Sequence, residues 1–364
     1  MRYLAILLLT SYFFHLPLFS QPTTYIWDMK EMDTLSMKPT SQEYKALVKK
    51  ADDWVGQKPI AVTDKDICIS GDKHNYESLA TYYWPDPKNP QGPYITKDGQ
   101  TNPEINQYDF PRLLKLNEIC TVLGKAFYIT KDTKFHTALC HYLDTWFISK
   151  TTRMNPSMEY SQFVPHFNGN KGMPGGVLDA YRFVDVIEST MLVDQIKSLG
   201  WQRRKKLKNW FRDLAEWMIT SPNGQKASEK LNNHAIAYYS TLLEIALFTG
   251  NRVLQQKAID GYVQNVDKQI ELNGAMPQEL SRTKAFTYSI FNLSHIVDGY
   301  AMTKNSGIDI PDTTRNKIQN AAIYLSSFVG KKEAFPYKEI GKWEEQEKNL
   351  KKVLRRMKQL ELLE

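Results

Sequence analysis

Apolar residues recur at three- and four-residue intervals along most of the chain. After Thr40-x-x-Glu43, which has the spacing of a capping box, Tyr44, Leu47, Val48, Ala51, Trp54 and Val55 form one stripe and predict an amphipathic helix. The same period predicts helices over 110–129, 133–149, 176–197, 202–219, 232–248, 252–272, 284–304, 313–329 and 342–362. Strand-like alternation is scarce and short. Two stretches escape the helical pattern, 56–108, rich in Pro, Gly, Asp and Asn, and 150–175. Both are too long to be simple connectors, and loops of that length often carry function.

A weak repeat joins the helices: Tyr128-Ile129-Thr130-Lys131-Asp132, Leu247-Phe248-Thr249-Gly250-Asn251 and Ala301-Met302-Thr303-Lys304-Asn305. In each, an apolar pair closes one helix and an Asp or Asn is available to cap the next turn or helix, as in the tight turn of an antiparallel helical hairpin. Repeated hairpins give an all-α array. Curved and closed, the array is an (α/α) toroid with a central cleft; left open, it is a scaffold, and periodicity leaves both open. In the last segment, Lys342 to Glu364, Trp343, Leu350, Val353, Leu354 and Leu360 alternate with charges of both signs. This predicts a solvated amphipathic helix packed on the body by one face, and not a basic nucleic-acid arm.

Composition narrows the class. The chain has 364 residues, 42% hydrophobic, with 8 Trp, 20 Tyr and 16 Phe, which excludes a disordered protein. A formal charge of +7 favours an anionic partner. Nucleic acid, an anionic membrane and an acidic polysaccharide all answer to that description, although no zinc-finger or aromatic RNA-binding signature is present. The opening residues read as an export signal over 1–20: Met1-Arg2-Tyr3, then apolar residues from Leu4 to Leu9 and from Tyr12 to Phe19. The expectation is therefore an exported chain, periplasmic or secreted, forming one domain over 21–364 with no later stretch of membrane-spanning length. Cys68, Cys120 and Cys140 allow at most one internal disulfide, and the apolar neighbours of Cys120 and Cys140 predict buried thiols acting as small hydrophobes.

Two clusters carry candidate chemistry. Leu231-Asn232-Asn233-His234 opens an otherwise apolar helix. There an amide and a helix start can hold a carboxylate while a neutral imidazole accepts a proton, although Asn at such a position is usually a cap. Pro277-Gln278-Glu279-Leu280-Ser281-Arg282 leads into Thr283-Lys284-Ala285-Phe286-Thr287-Tyr288 at the start of another helix. Arg282 can fork onto a carboxylate, and a tyrosine held near a cation can exchange a proton. The bland alternative is a surface pair between Arg282 and Glu279 beside a tyrosine of the core.

Taken together, these passages resemble the alginate lyase domain family of polysaccharide lyases. The resemblance extends to Ile26-Trp27-Asp28, Ser70-Gly71-Asp72-Lys73-His74-Asn75-Tyr76, Leu79-Ala80-Thr81-Tyr82-Tyr83-Trp84-Pro85-Asp86-Pro87, and Tyr94-Ile95 through Asn102-Pro103-Glu104. It implies an incomplete (α/α) toroid of antiparallel helical hairpins whose long loops line a polysaccharide groove. The implied activity is β-elimination of an anionic uronate polymer, alginate first, with no metal or other cofactor. Asn233 and Arg282 would neutralise the uronate carboxylate. Tyr288 would act as base and acid on mannuronate, and His234 would be the base with Tyr288 as acid on guluronate. Lys73, His74, Tyr83, Trp84 and Glu279 are substrate-binding candidates. Gln162 and His166 join them from Tyr160–Gly172, which resembles a glycine-rich loop of the family facing the cleft.

Rival readings are a lyase for glucuronan or another uronate polymer, a glycoside hydrolase, and a non-catalytic periplasmic polysaccharide-binding protein. A hydrolase needs a pair of carboxylic acids about 5–9.5 Å apart, and no such pair announces itself in the sequence. A binding protein would use groove aromatics without needing Asn233, His234, Arg282 and Tyr288 together.

Overall fold

The structure, a computed structural model, describes residues 24–364; the expected export signal over 1–20 lies outside the described residues. Helices dominate. In chain order come α1 (Met29–Ser36), α2 (Gln42–Asp52), β1 (Glu77–Leu79), β2 (Tyr83–Trp84), β3 (Ile95–Thr96), α3 (Phe110–Thr130), α4 (Thr133–Leu143) and β4 (Tyr160–Phe163). Beyond them lie α5 (Phe183–Ile196), α6 (Trp201–Thr220), α7 (Pro222–Ser228), α8 (Asn233–Thr249), α9 (Arg252–Gln269), α10 (Pro277–Leu280), α11 (Ala285–Asn305), α12 (Asp312–Ser326) and α13 (Trp343–Gln359). The strands form two small pairs, β1 parallel to β4 and β2 antiparallel to β3.

The inner wall is a succession of neighbours: α3 packs on α5, α5 on α8, α8 on α11 and α11 on α13, while α4, α9 and α12 return along the outside. This is the incomplete (α/α) toroid that the hairpin pattern and the family resemblance anticipate. Sequence decides which helices lie inside. Of the 17 residues of α8, 14 are buried, because it is apolar nearly all round and packs against helices on both flanks. α13 instead buries Trp343, Leu350, Val353 and Met357 along one stripe and leaves its charges outside. Core rings meet edge to face, as where Phe147 lies 4.7 Å from Trp210 between ring centroids.

The hairpin turns follow the repeat twice out of three. Lys131 and Gly250 take left-handed backbone at the ends of α3 and α8, and Asp132 and Asn251 cap α4 and α9 by accepting from Lys134 N and Leu254 N, each at 3.0 Å. At the third site α11 runs on through Asn305, and the turn comes at Ser306 and Gly307 (φ +73°). Asn305 is instead diverted, its Nδ2 donating to Tyr25 O at 2.7 Å. A smaller shift affects α2, whose cap is Ser41 rather than Thr40, with Ser41 Oγ accepting from Tyr44 N at 3.2 Å. All three cysteines are free thiols, Cys120 and Cys140 buried, and burial pushes both thiol pKa values up.

The irregular stretch 56–108 is held by buried polar groups. Lys65 pairs with Asp109 in the interior, and the same carboxylate accepts from Glu77 N at 2.9 Å. Glu77 in turn accepts from Ile69 N and Ser70 N, each at 2.9 Å. Backbone that makes no ladder has its donors satisfied by carboxylates instead. The loop is thereby fixed against the start of α3, and its β2–β3 hairpin reaches the mouth of the toroid.

Candidate active site

A cleft of about 860 Å³ opens where the two long loops meet the starts of α8 and α11. Tyr82, Tyr83 and Asp98 come from the first loop, and Gln162 and Gly175 from the second. Asn233 and His234 enter on α8, Arg282 and Tyr288 at the start of α11. The four residues proposed from sequence for chemistry, spread over 56 positions, thus share one cavity.

Arg282 is held from an unexpected direction. Asp98, 184 residues away, accepts from Arg282 Nη2 at 2.5 Å and Nε at 3.3 Å, and from Thr283 N and Oγ1 at 3.0 and 2.9 Å. Partial burial works to raise the Asp98 pKa, but the hydrogen bonds from Arg282 and Thr283 outweigh it and hold the carboxyl down at about 2. So fixed, the guanidinium sits 4.1 Å from the centre of the Tyr288 ring, a cation–π contact. The Tyr288 hydroxyl is buried without a hydrogen-bond partner of normal geometry. Burial first, and then the neighbouring Tyr82, push this phenol well above its ordinary pKa against the pull of Arg282. In the free protein Tyr288 therefore carries its proton.

His234 is oriented by backbone. Its Nδ1 lies 3.1 Å from Gly175 O, and since a carbonyl can only accept, Nδ1 carries the hydrogen and Nε2 keeps a lone pair. Burial pushes its pKa down to about 4, the nearby Lys230 and Arg282 adding to the effect, so the ring is neutral at ordinary pH. Asn233, 2% exposed, is gripped by Glu279: the carboxylate accepts from Asn233 N at 2.7 Å and from Nδ2 at 2.9 and 3.1 Å. Asn232 caps α8, its Oδ1 accepting from His234 N at 3.2 Å.

Gln162 reaches the cleft from left-handed backbone (φ +50°), its N–H donating to Ser78 Oγ at 2.8 Å and its Nε2 to the buried Asp179 at 2.9 Å. The adjoining glycines have a packing reason: a Cβ on Gly176 would stand 2.1 Å from Ser161 O.

This geometry can neutralise an anion, take a proton and deliver one. The sequence matches the alginate lyase family profile over residues 61–335, most of the chain. The chain belongs to the alginate lyase family. Among solved structures it is similar to an alginate lyase from Bacteroides ovatus, 35% identical, with a TM-score of 0.87 over 93% of this chain and 92% of that one. Alginate lyase A1-III from Sphingomonas species A1 shares the fold at 13% identity, with a TM-score of 0.55 over 86% of this chain and 79% of that one. A variant of alginate lyase A1-III in complex with a tetrasaccharide has a TM-score of 0.59 at 13% identity, over 87% of this chain and 80% of that one. No curated protein sequence matches the chain. As a member of the alginate lyase family, the protein is a polysaccharide lyase.

Within this lyase, several substrate-binding candidates take other places. His74 ties the two long loops together, its Nδ1 2.6 Å from Arg153 O and its own carbonyl accepting from Asn155 N at 2.9 Å. Trp84 donates from Nε1 to Gln100 O at 2.9 Å, bracing the hairpin, while its neighbour Tyr83 lines the cleft. Lys73 is exposed and, like His166 on its exposed loop turn (φ +62°), does not line the cleft. Glu279 is buried behind Asn233 and acts on it rather than on the cavity.

Sequence reasoning passed over Asp98, Tyr82 and Lys230, which all line the cleft. Tyr82 stood within the Thr81–Trp84 run that carried the family resemblance. Asp98 likewise stood within Tyr94–Glu104, which carried the same resemblance, but nothing in the sequence related it to Arg282. Among the described residues no group of three or more His, Cys, Asp or Glu side chains is placed to hold a metal ion, and no helix is long and apolar enough to cross a membrane.

Proposed function

We propose that this lyase cleaves alginate by β-elimination in the cleft between α8 and α11. A uronate carboxylate docks on Arg282 and the Asn233 end of α8, which stabilise the charge that develops as the C5 proton leaves. The C5–H electrons become the C4=C5 double bond, the C4–O4 bond breaks, and O4 leaves with a proton from Tyr288. On guluronate, where the C5 proton and O4 lie on opposite faces, His234 Nε2 takes the proton. On mannuronate they share a face and Tyr288 serves both steps: its hydroxyl proton passes to O4 as the phenolic oxygen takes the proton from C5, and the guanidinium beside it stabilises the negative charge that develops on that oxygen. The chain works as one domain over 21–364, exported to the periplasm or beyond after loss of residues 1–20.

The observation that carries this reading is the pairing in one cavity of a protonated phenol under a guanidinium with an uncharged imidazole. Such a pair supplies a proton donor and an acceptor at the same pH. The test uses mannuronate-rich, guluronate-rich and glucuronate polymers, read by the ultraviolet absorbance of the unsaturated uronate. Wild type should produce it from alginate, and Tyr288→Phe, which keeps the ring and its packing, should be folded and inactive. Strong activity on glucuronate polymer alone would move the assignment to a glucuronan lyase; reducing ends without new absorbance would mean hydrolysis.

A further inference from the structure

The C-terminal helix forms part of the cleft wall, although the family match ends at residue 335. Gln346, Asn349 and Lys352 recur every three residues along one flank of α13, beside its buried stripe, and all three line the cavity. Asn349 Nδ2 donates to Gln346 Oε1 at 3.2 Å. Lys352 is exposed, and its ammonium makes no hydrogen bond or ion pair among the described residues, whereas Arg355 and Arg356 on the same helix are engaged by Glu31 and Asp298.

This wall is locked to the segment that carries Arg282 and Tyr288. Glu339, on the approach to α13, accepts from Thr287 N at 2.8 Å and from Thr287 Oγ1 at 3.1 Å. Ala285 N donates to Lys338 O at 3.0 Å, and Ile340 N to Thr283 O at 3.2 Å. Trp343, the first residue of α13, stacks on Phe286 with ring centroids 4.1 Å apart and planes within 11°. A cation presented from so fixed a support keeps its place relative to Arg282 without being ordered on binding.

We propose that the Gln346–Asn349–Lys352 flank of α13 is a second carboxylate subsite, at which Lys352 holds a uronate adjoining the one under Arg282. The inference rests on the uronate-polymer reading of the same cleft. Every unit of such a polymer carries a carboxylate, so a chain bound at Arg282 brings further anions along the cavity. The lining answers with three cations, Lys230, Arg282 and Lys352, and a single carboxylate, Asp98, that is already paired. The two amides beside Lys352 suit the sugar hydroxyls.

The full-length chain is the test object, with Lys352→Ala, Lys352→Glu and Lys352→Arg compared with wild type. Initial elimination rates on alginate give kcat and KM, calorimetric binding of alginate oligosaccharides is measured with each substitution in a Tyr288→Phe background, and thermal melts establish folding. Lys352→Ala should weaken binding and raise KM about two- to fivefold, the range of a solvent-exposed ion pair, with kcat unchanged and Lys352→Arg close to wild type. Lys352→Glu should weaken it further and flatten the salt dependence of KM. A folded Lys352→Glu variant with wild-type KM and oligosaccharide affinity overturns the subsite. Loss of binding in that variant without any elimination by wild type would keep the subsite and overturn the lyase mechanism; no affinity for any polyuronate would overturn both.

Discussion

Asp98→Asn isolates what the carboxylate does for Arg282, because it keeps the shape of the side chain and deletes the charge. Asp98 accepts two hydrogen bonds from the guanidinium and two from Thr283. Its pKa, about 2 against an ordinary 3.8, corresponds to roughly 2.5 kcal/mol of preference for the ionised form in the folded protein. The pair is partly open to water, and solvent screening reduces this to about 1–2 kcal/mol. A depressed carboxyl fixes the sign: the stabilisation is fully present above the unfolded pKa near 3.8 and is lost as pH falls through about 2. Asp98→Asn should therefore melt a few degrees lower than wild type at neutral pH, and the gap should close as pH approaches 2.

The same substitution should act on turnover more than on binding. Without the fork from Asp98 the guanidinium is no longer fixed over the Tyr288 ring, so kcat should fall by about tenfold or more, as expected when a catalytic group is misplaced. KM should not rise, because a carboxylate that repels the substrate has also been removed. Elimination rates on alginate at several substrate concentrations, with melts over a pH series, measure both effects. If the variant matched wild type in kcat and in neutral-pH stability, or lost equal stability at every pH, Asp98 would not be positioning Arg282.

The other consequences concern buried titratable groups. With His234 held neutral down to about pH 4, kcat/KM on guluronate-rich polymer should stay level through pH 6.5 and fall only near 4; a fall centred at 6.5 would mean an imidazole open to water. Glu188 and Glu244 are buried together; burial first, despite N–H donors from Tyr25, Ile26 and Trp27, raises the Glu188 pKa to about 7, and burial with the Glu188 charge drives Glu244 well above its ordinary value. The folded state thus binds protons that the unfolded state releases above about pH 4.5, so stability falls as pH rises, and Glu244→Gln should melt higher than wild type at about pH 9 but not at pH 4; an unchanged or lower melting point at pH 9 would reject proton uptake by this pair on folding.

The helices were legible because burial on one or two sides leaves a period that sequence displays directly. Where the period misled, a tertiary bond had intervened: α11 continues past the third repeat, and Asn305, which looked like a cap, serves the N-terminal stretch of chain at Tyr25. The two passages proposed for catalysis were legible as local clusters, Asn232-Asn233-His234 and Glu279 through Tyr288. Their partners were not, since nothing local relates Arg282 to Asp98 or His234 to Gly175. Loop residues were the hardest to place. Tyr83 and Trp84 are neighbours in sequence, yet one lines the cavity and the other is committed to Gln100, a division that only the folded hairpin makes.

The hydrogen bonds weigh the two proposed neutralising groups differently. Asn233 Nδ2 lies within hydrogen-bond distance of both Glu279 oxygens, so its donors are already directed away from a substrate. Arg282 commits Nε and Nη2 to Asp98, but a guanidinium has five N–H donors, and the rest stay available for a uronate. In the proposed mechanism Arg282 therefore bears most of the charge that develops at the substrate carboxylate, while Asn233 and Glu279 fix the first turn of α8 and, with it, His234. Because Asp98 cancels part of the field of Arg282, attraction of a polyanion into the cleft falls to the unpaired lysines at its rim. On the proposed mechanism, positioning and attraction thus fall to different residues: a carboxylate that holds the arginine rigid costs electrostatic pull, and Lys230 and Lys352, which line the same cleft, would restore it.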